Sequence, residues 1–237
     1  MSKCKMSRCK KCYMPDTRPG SVFEGGVCQA CRNYTARDKV DWTKREKELK
    51  ELCDKHRRDD GYYDCLIPVS GGKDSHFLVY IMKEKMGMNP LLVTVADPFT
   101  KSKAGESNFK NIGKTFNCDH ILFNISDDVF KRATRFAFEN FLDPLKFVEA
   151  TIYTVPYKTA INYNIPLVVF GENSRFEYGE LLKDDPSANE YVEDMFKSID
   201  LDIWKNNGFS DKELNSITPP TNGKTDVIFI RGAVCQT

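Results

Sequence analysis

Hydrophobic positions change texture twice along the 237 residues. From Met1 to Val40 apolar residues are scattered among Cys, Lys and Arg with no sustained period, so no face able to bury a core is expected there. From Asp41 to Arg58, Trp42, Leu49, Leu52 and His56 recur near helical spacing. Thr43 followed by Glu46 reads as a capping box opening a linking helix whose charges form a solvated face. After Gly61 short apolar runs alternate with amphipathic stretches: YDCLIPV then a helix at 74–86, PLLVTVA then 105–116, DHILFNI then 127–142, a helix over 146–163, and IPLVVFG. A polar helical region over 186–215 and the breaker TPPTNGK precede a last strand, DVIFIRG. Strands that are apolar throughout need cover on both faces, which helices on a parallel sheet supply. The expected fold is α/β: a five-stranded, parallel, doubly wound sheet over residues 61–237, joined by the helix at 41–60 to a small module at 1–40.

Since the first 40 residues lack a core pattern, something else must order them. Cys9-x2-Cys12 and Cys28-x2-Cys31, with 15 residues between the pairs, have the spacing of two knuckles facing each other in a four-thiolate metal site. Zinc closed by four sulfurs has no open position for a substrate, so its role would be to fold the module. An iron–sulfur cluster is the competing occupant, and Cys4 reads as a bystander. Nine cysteines in this arrangement do not read as a disulfide framework, and MSKCKMSRCK has no apolar signal core. With no run of about 18 apolar residues, no membrane partner is expected and the expected compartment is the cytoplasm. Net charge is +1, but residues 1–58 hold 16 basic and 8 acidic side chains against 19 and 26 in the remainder. A basic head could meet nucleic acid or simply an acidic protein face, and an acidic body disfavours a phosphate backbone.

The richest chemistry lies in CLIPVSGGKDSHFLVYIMKE, where a strand runs into Ser70-Gly71-Gly72-Lys73-Asp74-Ser75 and then a helix. Adjacent glycines let backbone N–H groups turn toward an anion, and a helix beginning there points its positive end at the same spot. Lys73 adds a point charge, Ser70 and Ser75 add hydroxyls, and Asp74 is a candidate for Mg²⁺ or for a helix cap. The bland alternative is an ordinary strand-to-helix turn. The spacing is not GxxxxGK[ST], whose longer loop favours γ-phosphoryl transfer.

It resembles the SGGxDS pyrophosphate loop of the PP-loop ATPases in the adenine-nucleotide α-hydrolase-like superfamily. That resemblance implies a sheet of the PP-loop type and cleavage of ATP between the α- and β-phosphates, leaving AMP on a substrate oxygen. It implies ATP and Mg²⁺ at Ser70, Gly71, Gly72, Lys73, Asp74 and Ser75, with adenine against Pro68 to Ser70 and Thr94 to Asp97. The loop Gly171-Glu172-Asn173 follows a strand at the same sheet edge, where Glu172 and Asn173 are candidates for orienting substrate or nucleophile.

Five further stretches, CKKCYMPDTRPG through GGVCQACRNY, YDCLIPVSGGKDSHF, MGMNPLLVTVADPFTKSKAG, NFKNIGKTFNCDHI and GENSRFEYG, resemble in that order the N-acetyl sugar amidotransferases of bacterial surface-glycan and nonulosonic acid biosynthesis. The resemblance covers most of residues 9–180. It implies conversion of an N-acetyl group on an acidic sugar of the pseudaminic or legionaminic type, or on a diacetamido uronic acid sugar nucleotide, into an acetamidino group. The amide oxygen would be adenylated and ammonia would displace AMP. With no glutaminase signature in this chain, ammonia would come from a separate glutaminase subunit, with a second channel-forming subunit as a further candidate partner. Residue by residue, His76 would face the reaction centre. Lys101, Lys103 and Asp97 would meet the nucleotide or a sugar carboxylate, and Arg175 and Tyr178 the sugar carboxylate and ring. For each, a plain packing or surface role is the alternative. His56 and His120 are assigned to structure, and Cys65 to the core.

Two other readings stay open. A tRNA thiolase also joins zinc-binding modules to a PP-loop, with sulfur as nucleophile and reactive thiols at the nucleotide. Because members of the sugar family extend further than VIFIRGAVCQT, a catalytically impaired nucleotide-binding subunit is the third.

Overall fold

The computed structural model describes residues 6–17, 21–96, 98, 102–171 and 187–230. A two-stranded hairpin comes first: β1 (Phe23–Glu24) pairs antiparallel with β2 (Val27–Cys28), turning through Gly25 and Gly26 at positive φ. The short helix α1 (Gln29–Ala36) follows it. This region buries little besides Cys9 and Cys28, as a stretch without apolar period should.

The main sheet holds β3 (Cys65–Pro68), β4 (Pro90–Ala96), β5 (His120–Asn124), β6 (Leu167–Phe170) and β7 (Asp226–Phe229). All neighbours are parallel, in the order β5-β4-β3-β6-β7. The chain therefore steps outward from β3 to β5 and returns to pair β6 on the other side of β3. That reversal makes a topological switch point at the carboxyl ends of β3 and β6, where open α/β sheets hold ligands.

Helices cover both faces, which is why the strands read as continuous apolar runs. Cys65, Ile67, Val69, Leu92, Leu167 and Val169 face α2 (Trp42–His56), α3 (Lys73–Tyr80) and α4 (Lys103–Thr115). Leu66, Leu91, Val93, Val168, Phe170 and Val227 face α6 (Lys146–Asn162) and α7 (Ala188–Lys197). A third cluster surrounds Trp204, whose ring lies 4.8 Å from Phe136, 5.3 Å from Phe209 and 5.5 Å from Phe147. It joins α5 (Asp127–Phe141) and α6 to α8 (Leu201–Lys205) and α9 (Asp211–Leu214), and the helical region expected over 186–215 consists of three helices, α7, α8 and α9.

Three local expectations are corrected. The capping box at Thr43 does not form: Asp41 is the N-cap of α2 and accepts from the Lys44 N–H at 3.0 Å, so the helix opens at Trp42. The helix expected over 74–86 ends at Tyr80 and passes into a π turn, Ile81–Lys85, closed by Met86 N–H on the Ile81 carbonyl at 2.9 Å. The wider turn sends Ile81, Met82 and Met86 into the core together. Asp74 is not a cap, because Gly72 is the N-cap of α3. α2 lays Leu49, Leu52 and Cys53 on the sheet's core, and His56 reaches Asp226 of β7 at 2.8 Å.

Candidate functional site

The loop between β3 and α3 leaves the sheet at the switch point. Gly71 takes φ +81°, a conformation open to glycine, and a Cβ there would lie 2.8 Å from the Phe109 Cα of α4. α4 thus presses the loop from behind, and only a residue without a side chain fits. Ser75 fastens the loop from the front: its Oγ accepts from the Ser70 N–H at 2.9 Å and lies 3.1 Å from the Ser70 Oγ. Gly72 offers no side chain to cap α3, so the first N–H groups of the helix are left without a side-chain cap, the arrangement that suits an anion.

Lys73 Nζ pairs with Asp74 Oδ1 at 2.6 Å, both strongly exposed, beside those N–H groups. An exposed pair of this kind contributes little to stability, which leaves it available to exchange partners with a charged ligand. Beneath the loop, Thr94 Oγ1 donates to the Val69 carbonyl at 2.5 Å and accepts from His120 Nε2 at 2.8 Å. With the hydroxyl hydrogen committed to the carbonyl, the His120 ring must donate from Nε2. Burial holds the His120 pKa below its ordinary value, which suits a neutral ring tilted against Phe109 at 5.4 Å between centroids. The chain His120, Thr94, Val69 fixes the carboxyl edges of β3 and β4 to each other under the loop.

A cleft of about 210 Å³ opens beside it, with Pro68, Ser70, Asp74 and Ser75 on the loop side and Val93, Val95, Phe170 and Gly171 from the strand ends. Its far wall is α6, through Ile152, Tyr153 and Pro156. Apolar walls with a few polar groups at one end suit a flat ring carrying a phosphate chain.

The structure brings Ser70, Asp74, Ser75 and Gly171 to this cleft, with Gly71, Gly72 and Lys73 in the loop beside it. His76 turns away: its Nδ1 lies 3.0 Å from the Gly72 carbonyl and its ring is 6.2 Å from Phe116, so it is not among the cleft-lining residues. Lys103 is the exposed first residue of α4, behind the Ser102 cap. Asp97, Lys101, Glu172, Asn173, Arg175 and Tyr178 lie outside the described residues. Sequence reasoning missed the α6 wall and Phe109. Pro156, an imino acid inside an otherwise helical stretch, was the signal for the wall; nothing local marks Phe109 as the loop's backstop.

Cys9, Cys12, Cys28 and Cys31 place their four sulfurs within 4.8 Å of one another, a group able to hold a metal ion. Cys9 and Cys31 sulfurs are 3.9 Å apart and those of Cys12 and Cys28 3.5 Å. A tetrahedral zinc with 2.3 Å bonds sets sulfurs about 3.8 Å apart, so the donor set fits the ion. The Cys9 sulfur accepts from the N–H groups of Cys28 at 3.3 Å and Lys11 at 3.4 Å. With Cys28 foremost, such N–H donors bring the Cys9 thiol down to about 6, while the Cys12 sulfur and burial push Cys31 up to about 12. One thiolate is favoured by the backbone and its neighbours resist a second, the electrostatic deficit that a divalent cation fills.

No family model matches the chain. A stretch of 94 residues, 38% of this chain, is 33% identical to an uncharacterized protein of Methanocaldococcus jannaschii, and the match spans about a third (34%) of that relative's length. Among solved structures, the chain is similar to an NH3-dependent NAD synthetase of Campylobacter jejuni (14% identity, 75% of this chain and 83% of that one, TM-score 0.45). It is also similar to a U34-tRNA thiolase of Methanococcus maripaludis solved with its 4Fe–4S cluster (15%, 94% and 66%, TM-score 0.43). An NMN synthetase of Francisella tularensis gives 17% identity over 79% and 80% of the two chains, TM-score 0.42. At these scores the likenesses assign neither family nor activity. Among the described residues no helix is long and apolar enough to cross a membrane.

Proposed function

We propose that this chain is an ATP-dependent adenylating enzyme that converts an N-acetyl group of an acidic diacetamido sugar into an acetamidino group. The observation that carries the reading is the Ser70–Ser75 loop: a glycine-shaped hollow at the switch point, facing an uncapped helix N-terminus and opening on an apolar cleft. The order of sequence stretches resembling the sugar amidotransferases supports the finer assignment. Phe109, which presses on Gly71, and His120, which braces the loop, both lie in one of those stretches, NFKNIGKTFNCDHI.

In this reading the N–H groups of Gly72 and of the first turn of α3 hold the phosphates, and Lys73 moves from Asp74 to the phosphate charge. Asp74 would then hold Mg²⁺, which supplies charge neutralisation for the departing pyrophosphate. The cleft walls Pro68, Val93, Val95 and Tyr153 receive the base and keep water from the activated carbonyl. An amide carbon is a poor electrophile, and adenylation of its oxygen gives ammonia a leaving group to displace. A glutaminase partner is the proposed ammonia source. The four cysteines hold a structural zinc.

Among the described residues, thiol placement supports this reading over tRNA thiolation, which needs reactive sulfur at the nucleotide; Cys235 lies outside them. Cys65 is fully buried at the start of β3, its thiol pushed far up by burial, and Cys118 precedes β5; both stand at the amino edge of the sheet, away from the loop. The test is mass spectrometry of a reaction with ATP, Mg²⁺, ammonium and candidate diacetamido acidic sugars. AMP together with a product about one dalton lighter, the change of carbonyl oxygen to NH, is expected. AMP without that product, or tight and specific tRNA binding at moderate salt, overturns the sugar assignment.

A further inference from the structure

We infer that Pro156 makes the cleft select a purine carrying a 6-amino group, because it leaves the Ile152 backbone carbonyl as a free acceptor on an apolar wall; this rests on ATP occupying the cleft as proposed above. In an α-helix each N–H donates to the carbonyl four residues before it, and proline has no N–H. α6 is helical throughout Lys146–Asn162 with Pro156 inside it, so the Ile152 carbonyl lacks that donor. The pyrrolidine ring also fills the space of the missing hydrogen bond and pushes the carbonyl off the helix axis. Ile152 and Pro156 both line the cleft, which sets this carbonyl between two residues of its wall.

Neighbouring acceptors and donors are already engaged. At the strand ends, the Val93 carbonyl accepts from the Val69 N–H at 2.9 Å, the Val69 carbonyl from Thr94 Oγ1 at 2.5 Å, and the Phe170 carbonyl from the Ile230 N–H at 2.8 Å. On α6 itself, the Thr151 hydroxyl donates to the Phe147 carbonyl and that of Thr159 to the Val155 carbonyl, each at 2.8 Å. Among the described residues no loop N–H donates to Ile152. An unpaired backbone carbonyl beside an apolar cleft costs free energy until a ligand's donor satisfies it.

The rings of Tyr153 and Phe170, with centroids 5.0 Å apart, offer a flat base its surface on the same wall. Adenine carries an amino donor at C6. Guanine and hypoxanthine carry an oxygen there, which would set two acceptors face to face. The bland alternative is a buried proline that only bends α6 onto the sheet. That role would not distinguish ATP from ITP.

The test is calorimetric binding of ATP, ITP and purine riboside 5′-triphosphate, each with Mg²⁺, to the full chain as wild type and as Pro156→Ala, alongside thermal unfolding. Wild type is expected to bind ATP about tenfold to a hundredfold more tightly than ITP, with purine riboside triphosphate, which has only hydrogen at C6, between them. In Pro156→Ala the new N–H takes the Ile152 carbonyl back into the helix. The ATP-to-ITP ratio should then fall to about threefold or less through weaker ATP binding, while the unfolding midpoint holds or rises because a proline has left the helix interior. Wild type that binds ATP and ITP alike overturns the inference and leaves ATP at the loop standing, whether or not the variant folds. An undiminished ratio in Pro156→Ala overturns it too, as does an equal loss for both nucleotides, which makes Pro156 a packing residue. Wild type that binds none of the three overturns the adenylating reading and this inference together.

Discussion

The two candidate ligand sites of this chain are built in opposite ways. The four cysteines are gathered within 23 residues around a hairpin that turns through two glycines, with almost no apolar burial among the described residues around them. The Ser70–Ser75 loop is six residues long, yet its shape depends on Phe109 of α4, on Thr94 and His120 of neighbouring strands, and on a sheet whose core holds it in place. The first arrangement needs a metal to order it; the second is shaped by the rest of the fold. Ligand removal and core-directed substitution should therefore act on them separately.

The largest effect is expected from metal removal. Structural zinc contributes about 10–16 kcal/mol of folding free energy to small modules. Chelation, or Cys28→Ser, should abolish hydrogen-exchange protection over residues 6–36 and leave protection in β3 to β7 intact; a metal-free head that stays protected breaks the contrast. Next comes Gly71→Ala. A side chain in the left-handed region costs about 1–2 kcal/mol, and displacing Phe109 adds to it, for a total of about 2–4 kcal/mol by urea denaturation, with loss of ATP binding and unchanged metal content.

Lys73→Ala sharpens the comparison from the other side. The exposed pair with Asp74 should contribute under about 0.5 kcal/mol to stability, whereas AMP formation should fall about tenfold to a hundredfold. A stability loss as large as the activity loss would make the loop a structural turn.

Smaller still is the tie between α2 and β7. The hydrogen bond from His56, and the nearby charge of Lys55, hold the Asp226 carboxyl below its usual range. A depressed carboxyl stabilises at pH values above its unfolded pKa of about 3.9, and that contribution is lost as pH falls through the lower folded value. Asp226→Asn should cost about 1 kcal/mol at neutral pH, since the side chain is half exposed, and should flatten the decline in urea midpoint below about pH 4. Last, Asp41→Ala should lower stability by about 1 kcal/mol and Thr43→Ala by almost nothing, because only Asp41 meets the α2 N–H groups.

Strand positions were legible because burial on both faces forces a continuous apolar run: PLLVTVA became β4 over Pro90–Ala96, residue for residue, β3, β5 and β6 lie inside their expected runs, and β7 opens at Asp226 where DVIFIRG begins. The π turn after Tyr80 was not, because an inserted residue leaves the 3.6-residue pattern intact on either side. Asp41 and Thr43 are both acceptable caps by residue type, and the packing of Leu49 and Leu52 on the sheet decides which one sits at the helix boundary. Nor was the engagement of the Ser75 hydroxyl with Ser70 legible, a partnership set by the loop's closure.

By itself the sequence determined the strand and helix alternation, the pairing of two cysteine knuckles, and the anion-seeking character of SGGKDS. Each of these is carried by neighbouring residues: a period, a spacing, a turn with two glycines. Only the tertiary structure decided the strand order that puts β3 beside β6, the backbone of Phe109 against Gly71, and α6 as the wall that carries Ile152, Tyr153 and Pro156 to the cleft. These depend on which distant segments share a core, and hydrophobic burial, being non-directional, names its members without saying which one each will touch.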